Sequence, residues 1–235
     1  MKIIPSLAVL VALVFAGLAP ARLVAAQEDG VALAIVYDTS GSMKDSVPDS
    51  SGGSSPKYLI ANRALLAVTK RLETFATNSA GPRKVEAGLF VFKGQGAREA
   101  VKFGPFQPAA LEAFAHEFSN PSGTTPLGNA LTAATQVVLN SPLTRKHVLV
   151  ITDGVNTAGP KPEVVLPKLQ RQAQQRQTSL SVHFIAFDVD AQVFAPVRQL
   201  GATVVSAADE KQLDSQLEFI LQRKILLEEE EPKKP

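Results

Sequence analysis

The sequence predicts a single α/β domain with a doubly wound, mostly parallel central sheet flanked by helices. Short apolar runs, of the kind buried on both faces of a sheet, alternate along the chain with segments whose apolar residues recur at helical spacing. Such alternation is typical of βαβ units. The chain has 235 residues, of which 45% are hydrophobic and 20% charged, and this is enough for one such domain with a substantial core.

Each predicted element follows from its local pattern. The first strand is the apolar run at residues 31–37, and the first helix has apolar residues at helical spacing over residues 59–75. The other strands are predicted at residues 84–92, 100–103, 147–151, 181–187 and 203–205, with the first two paired through Gly94-Gln95-Gly96. The other helices are predicted at residues 108–118, 127–139, 163–177, 192–200 and 210–226. Residues 44–57, rich in Ser, Gly, Pro and Asp, are expected to form a surface insertion with too little apolar content to pack.

Both ends of the chain lie outside the predicted domain, which spans residues 27–226. A basic start, an apolar stretch at residues 7–19 and the small residues Val24-Ala25-Ala26 predict a signal peptide at residues 1–26, cleaved after Ala26. The protein is then secreted or periplasmic. The alternative is an uncleaved N-terminal membrane anchor, because the 19 residues from Ile3 to Ala21 carry no charge and approach the length of a bilayer span. Residues 227–235 are expected to be a charged, disordered tail.

Composition excludes several classes of function. The absence of Cys excludes disulfides, cysteine-ligated zinc and Fe–S clusters. The three histidines are scattered, with no spacing typical of a metal site. The formal net charge is +2, but without Lys2 and Arg22 the remaining chain has 22 basic and 22 acidic residues. No basic field is therefore expected for nucleic acid or for anionic lipid.

Polar residues follow the predicted strands where a parallel sheet binds its ligands. Asp38, Ser40 and Ser42 come after the first strand, Thr152-Asp153-Gly154 follows the strand at residues 147–151, and Gly123-Thr124-Thr125-Pro126 opens a helix. Hydroxyl and carboxylate oxygens suit Mg²⁺, Ca²⁺ or Mn²⁺. Because Mg²⁺ readily keeps waters among its six ligands, an acidic side chain of a second protein could take an open position.

Each of these polar residues also has a purely structural explanation. Asp38 can form a turn, Ser40 and Ser42 can cap a helix, and Asp153 can belong to an Asp-Gly turn. A common position at one edge of one sheet favours the metal site over this set of separate explanations.

The segment Asp38-Thr39-Ser40-Gly41-Ser42 resembles the DxSxS signature of the von Willebrand factor type A (VWA) domain, with its metal-ion-dependent adhesion site (MIDAS). Residues 123–127 and 151–154 are similar to the second and third loops of that site, in the same order, and the resemblance covers about residues 30–222. It implies a Rossmann-like VWA fold that binds Mg²⁺, or Mn²⁺ or Ca²⁺. The ligand set that it implies is Asp38, Ser40, Ser42, Thr125 and Asp153, with the hydroxyls bound directly and the two Asp commonly through water.

The resemblance also bears on two neighbouring residues. Thr124 competes with Thr125, which is preferred because it precedes Pro126 as in the family's loop. Some members hold a second cation with acids just after the DxSxS segment. Asp45 is at a matching offset, but Ser46 replaces the second acid often found there. A possible second metal site is therefore assigned to Asp45 alone.

No enzyme class matches the sequence. A phosphatase with an Asp nucleophile would need a second acid where Ser40 stands, no glycine-rich phosphate motif follows a strand, and no Ser lies in a nucleophile elbow. We therefore expect an exported, non-enzymatic protein that binds a Glu or Asp of a protein partner through the cation, as in cell adhesion. The alternative is a periplasmic assembly or chaperone-like factor for a larger complex or metalloenzyme that uses the same site.

Overall fold

A six-stranded sheet forms the centre of the computed structural model, which describes residues 27–77 and 83–226. The predicted signal peptide and charged tail lie outside these residues. The strands are β1 (Glu28–Tyr37), β2 (Ser46–Pro48), β3 (Ser54–Pro56), β4 (Lys84–Lys93), β5 (Gly96–Pro105), β6 (Leu143–Thr152), β7 (Ser181–Phe187) and β8 (Thr203–Ala207). The sheet order is β5-β4-β1-β6-β7-β8. Only the edge strand β5 is antiparallel to its neighbour, so the predicted mostly parallel sheet is confirmed.

Helices cover both faces of the sheet, which makes the fold doubly wound as predicted. They are α1 (Lys57–Ala76), α2 (Pro108–Glu117), α3 (Leu127–Asn140), α4 (Pro162–Gln175), α5 (Ala195–Gln199) and α6 (Glu210–Ile220). The core on one face includes α1, α2 and α6, and the core on the other includes α3, α4 and α5. Among the described residues, no helix combines the length and the apolar content that a membrane crossing requires.

Strand β1 shows why the chain forms two cores. Leu33 and Ile35 belong to the core under α1 and α6, whereas Ala32 and Ala34 belong to the core under α3. All four side chains have no exposed surface. Because successive side chains of a strand point to opposite faces, a strand with apolar residues at every position can only be central.

Several element boundaries differ from the prediction. The predicted helix at 192–200 is a 3₁₀ turn, Ala191–Phe194, followed by the short α5, which has Pro196 in its first turn. The predicted helix at 210–226 leaves α geometry after Ile220 and continues as the π-helical turn Leu221–Ile225. Strand β6 begins four residues before the predicted strand at 147–151.

The segment at residues 44–57 packs more than the sequence suggested. Strands β2 and β3 pair as an antiparallel hairpin, and Val47 on β2 is buried against the core. The expectation that this segment has too little apolar content to pack is therefore wrong. Polar contacts replace an apolar core here, because Asp49 accepts hydrogen bonds from four groups in and beside the turn. The Ser50 N–H also donates to Glu210 Oε2 on α6, at 2.7 Å.

Candidate metal centre

Three loops meet at the carboxyl edge of the sheet, and backbone hydrogen bonds join them. The first loop follows β1, the second precedes α3 and the third follows β6. The Gly41 N–H donates to the Gly123 carbonyl at 3.2 Å, and the Ser122 N–H donates to the Thr39 carbonyl at 2.7 Å. The Thr157 N–H donates to the Thr125 carbonyl at 3.0 Å. The predicted site residues therefore lie on loops whose relative positions are set by backbone contacts.

Asp38 lies at the base of the site and has no exposed surface. Its Oδ1 accepts a hydrogen bond from the Ser40 N–H at 2.8 Å, and its Oδ2 accepts one from the Thr152 hydroxyl at 2.5 Å. Burial, and then the charge of Asp153, raise the pKa of Asp38 to about 6, although these hydrogen bonds oppose the rise. The site therefore holds carboxylate charge that a cation would stabilise.

Ser40, Ser42 and Asp153 form a continuous chain of oxygen contacts above Asp38. The hydroxyls of Ser40 and Ser42 are 3.2 Å apart, and the Ser42 hydroxyl donates to Asp153 Oδ1 at 2.9 Å. Ser40 and Asp153 are buried, whereas Ser42 is exposed. The site thus opens to solvent on the Ser42 side and is closed beneath.

The two candidate threonines of the second loop have different surroundings. Thr125 is buried, and a Cβ placed on Gly154 would lie 3.8 Å from its hydroxyl, beside the residue that follows Asp153. Thr124 is exposed, and its hydroxyl donates to the Gly94 carbonyl at 3.0 Å, in the hairpin between β4 and β5. The structure therefore brings Thr125, and not Thr124, next to the third loop.

A buried lysine at the edge of the site was not anticipated from the sequence. Lys57, the first residue of α1, places its Nζ 2.8 Å from Asp153 Oδ2 and 3.1 Å from Asp188 Oδ2. Burial alone would lower the pKa of Lys57, but Asp153 and Asp188 outweigh burial and raise it above its ordinary value. The side chain is therefore a permanent cation at neutral pH.

Asp45, the residue assigned to a possible second metal site, lies on the solvent side of this lysine. Its side chain is 71% exposed, and its Oδ2 is 3.8 Å from Lys57 Nζ. The cation beside Asp45 is thus an ammonium group of the protein itself. Within residues 27–77 and 83–226, no group of three or more histidine or acidic side chains is arranged to hold a metal.

Besides Lys57, three residues support the site although the sequence assigned them no role: Thr39, Thr152 and Asp188. The Thr39 hydroxyl accepts from the Phe92 N–H at 3.2 Å, tying the first loop to the end of β4. Thr152 donates to Asp38, and Asp188 contacts Lys57. Asp188 could have been found, because it directly follows β7 at the same edge of the sheet. The partner of the Thr152 hydroxyl depends on strand pairing and has no local signal.

The donor set is suited to a hard divalent cation. It consists of two carboxylates, Asp38 and Asp153, and of the hydroxyls of Ser40, Ser42 and Thr125, with no nitrogen or sulfur among them. Oxygen-only sets of this kind favour Mg²⁺, Mn²⁺ or Ca²⁺. The hydroxyls bring no charge of their own, so the two carboxylates supply the negative charge that a cation needs.

Comparison with known families agrees with the fold. The model of the von Willebrand factor type A domain matches residues 32–218. No curated protein matches the sequence. The resemblance to solved structures is one of fold, because the identities are below 20%.

Three solved structures illustrate the range of similar proteins. The PilB minor pilin from Streptococcus sanguinis, as its D319A mutant, has a TM-score of 0.62 at 17% identity, covering 82% of this chain and 61% of the pilin. Proximal thread matrix protein 1 from the mussel byssus, solved with a zinc-occupied MIDAS motif, has a TM-score of 0.59 at 15% identity, covering 83% and 48%. Manganese-loaded TRAP protein from Plasmodium vivax has a TM-score of 0.50 at 19% identity, covering 81% and 72%. This chain therefore spans about six-tenths of the pilin and about half of the mussel protein.

Proposed function

This chain belongs to the von Willebrand factor type A domain family, and on that premise we propose that it is an exported protein that binds a protein partner through a divalent cation. The observation that carries the proposal is a set of three contacts: the Ser40 N–H donates to Asp38, the Ser40 hydroxyl contacts the Ser42 hydroxyl, and the Ser42 hydroxyl donates to Asp153. Residues that are distant in sequence are held at hydrogen-bond distance at one edge of the sheet, where ligands of parallel α/β folds bind. Export rests on the charge and apolar pattern of residues 1–26.

The residues divide into two roles. The hydroxyls of Ser40, Ser42 and Thr125 would hold the cation directly, and Asp38 and Asp153 would supply charge from behind, in part through water. A bound divalent cation supplies a coordination position for a carboxylate oxygen of the partner. The exposed Ser42 lies on the side from which a Glu or Asp of the partner would approach.

We propose Mg²⁺ as the cation, with Mn²⁺ and Ca²⁺ as substitutes. Hard oxygen donors favour all three, and Mg²⁺ retains waters that a partner's carboxylate can displace. Of the solved structures of the same fold, the mussel protein has a zinc-occupied MIDAS motif and the Plasmodium vivax TRAP protein is manganese-loaded. These support a divalent cation in general, and the choice among metals rests on donor chemistry.

We expect binding and no catalysis. Among the described residues the site offers hydroxyls and carboxylates around a cation position, and Lys57, a basic group at its edge, is paired with carboxylates. The two candidate partners are an adhesion ligand and a larger assembly that this protein helps to mature. A pull-down with the mature protein in Mg²⁺ and in EDTA separates them, because the first yields a surface protein and the second a multi-subunit complex.

The two adjacent threonines provide the test of the site. Thr125→Ala is expected to weaken Mg²⁺ and Mn²⁺ binding at least tenfold, on the order of 1.4 kcal/mol or more, since it removes a direct ligand. Thr124→Ala, which loses only the bond to the Gly94 carbonyl, is expected to bind like the unaltered protein. Calorimetric titration of the mature protein with each metal measures both.

A circular dichroism spectrum of each variant confirms that the fold persists. Equal metal affinity in the two variants would show that Thr125 is not a ligand. Failure of the unaltered protein to bind any of the three metals would refute the proposed function itself.

A further inference from the structure

We infer that Lys57 is a positioning residue of the metal centre, which holds the outer oxygen of Asp153 and lowers the affinity of the centre for divalent cations. The inference deepens the proposed function and rests on it, because it concerns the same site. It adds a residue outside the donor set and assigns it an effect on metal binding.

The two oxygens of Asp153 have different partners. Oδ1 accepts from the Ser42 hydroxyl at 2.9 Å, on the side of the proposed cation, and Oδ2 lies 2.8 Å from Lys57 Nζ. The Asp153 side chain has no exposed surface and that of Lys57 is 5% exposed, so water screens this ion pair little. The ion pair with the ammonium therefore engages Oδ2, and Oδ1 is the oxygen on the Ser42 side of the site.

The charges of the buried groups explain the effect on affinity. Asp38 and Asp153 together carry two negative charges, and Lys57 cancels one of them. A divalent cation would leave Asp38, Asp153 and Lys57 with one positive charge in excess, and such a charge is costly at a site of low exposure. Asp188 and Asp45 also lie beside Lys57, but their side chains are 42% and 71% exposed, so water screens their charges and they offset this excess only in part. A carboxylate brought by the partner supplies the missing negative charge. Lys57 thus makes tight cation binding depend on the partner's acidic residue.

Lys57 also connects the centre to a fourth loop. Asp188, at the end of β7, lies 3.1 Å from Lys57 Nζ and is 42% exposed on its side chain. Its φ of 54° is in the left-handed region, which is uncommon for residues other than glycine. The negative charge of Asp188 offsets part of the positive potential that the Lys57 ammonium produces at the site. Removing the charge of the Asp188 carboxylate would therefore increase the repulsion between Lys57 and the cation.

The test compares metal affinity in Lys57→Met with that of the unaltered mature protein, by calorimetric titration with Mg²⁺ and Mn²⁺. Methionine is unbranched, keeps all but the terminal atom of the lysine side-chain length and removes the charge, so affinity is expected to increase about tenfold or more. Lys57→Arg keeps the positive charge and is expected to bind each metal with an affinity within about threefold of that of the unaltered protein. Lys44→Met removes the same charge from an exposed position in the first loop and is expected to change affinity by less than about threefold.

The direction of the change in metal affinity separates the proposed role of Lys57 from a purely structural one. If Lys57 only stabilised the fold, its loss would loosen Asp153 and weaken metal binding, so equal or weaker binding by a folded Lys57→Met protein overturns the inference. Absence of binding in both the unaltered protein and Lys57→Met overturns the proposed function as well. Binding by Lys57→Met alone supports the inference that the lysine competes with the cation, but it leaves the unaltered protein without metal and so refutes the proposed function.

A second pair of variants keeps the test decisive if Lys57→Met does not fold. Asp188→Asn is expected to weaken Mg²⁺ binding several-fold relative to Asp190→Asn, which removes the same charge two residues away. Asp190 contacts the Gln192 N–H and not Lys57, and asparagine retains that acceptor. Equal affinity of Asp188→Asn and Asp190→Asn would overturn the inference.

Discussion

At the scale of single residues, the carboxylate of Asp38 illustrates how burial prepares a site for a cation. It lies at the end of a central strand with no exposed surface, and the charge of Asp153 adds to the cost of ionising it. Two hydrogen bonds reduce that cost but do not remove it, so its pKa is raised to about 6. In the metal-free protein this carboxylate therefore destabilises the folded state at neutral pH.

The raised pKa of Asp38 predicts how the stability of the metal-free protein depends on pH. Because the folded state holds the Asp38 proton more tightly than the unfolded state, the free energy of unfolding falls as pH rises from about 4 to about 6. The contribution is about 3 kcal/mol and stays lost at neutral pH. Asp38→Asn in EDTA should remove this fall, and urea unfolding from pH 4.5 to 7.5 measures it.

The quantity to compare at each pH is the difference in the free energy of unfolding between Asp38→Asn and the unaltered protein. Burial lowers the pKa of His147 to about 3 and that of His183 to about 4, so both histidines destabilise the folded state in acid, with the opposite sign. Both proteins share this effect, and the difference isolates Asp38. Two curves that run parallel across the whole range would contradict the prediction.

At the scale of elements, the hairpin of β2 and β3 is an addition to the fold that the site does not need. The Lys57 N–H donates to the Asp45 carbonyl at 2.8 Å, so the two ends of the insertion are already adjacent. None of the proposed metal ligands lies within it. Its own contacts with the domain include the buried Val47 and the bond from Ser50 to Glu210.

Deletion of residues 46–55 should therefore leave a folded domain that binds metal. We expect a loss of about 2–3 kcal/mol in the free energy of unfolding, from the burial of Val47 and one hydrogen bond to a charged group. Urea unfolding of the deletion protein measures the whole loss in the free energy of unfolding. Urea unfolding of Val47→Ala measures the part that comes from the burial of Val47. An unfolded deletion protein, or a tenfold loss of Mg²⁺ affinity, would show that the hairpin supports the site.

At the scale of the whole molecule, the proposed centre joins loops that follow two neighbouring strands and a loop that precedes a helix. Backbone hydrogen bonds already connect these loops, and a shared cation would add a contact present only in the folded state. Ligands that bind the folded state alone stabilise it by an amount set by their concentration relative to Kd. Thermal stability is therefore a measure of metal binding that needs no partner.

Mg²⁺ at about 100 times its Kd should stabilise the domain by about 2.7 kcal/mol. For a domain of this size the corresponding rise in Tm is about 5–10 °C. Differential scanning calorimetry in Mg²⁺ and in EDTA measures the rise, and Asp38→Ala should abolish it. A rise of the same size in Asp38→Ala would place the stabilising metal elsewhere.

The sequence by itself determined most of the element types, the parallel sheet and the edge at which polar residues collect. These features depend on local patterns, such as apolar runs and helical spacing, and on the rule that loops after parallel strands share an edge. The DxSxS segment and the Asp-Gly turn are each a continuous stretch of sequence, so they too can be recognised without a structure. The signal peptide and the charged tail stay predictions, because they lie outside the described residues.

Only the tertiary structure decided which groups surround the site and how its charge is balanced. The contacts of Lys57 with Asp153 and of Thr152 with Asp38 join residues about a hundred positions apart, so no local pattern could reveal them. Lys57 was assigned to a polar insertion, where the default expectation is a solvated lysine. Packing of α1 against the sheet directs it inward instead, since a buried carboxylate at the end of one strand stabilises a cation delivered by a distant helix.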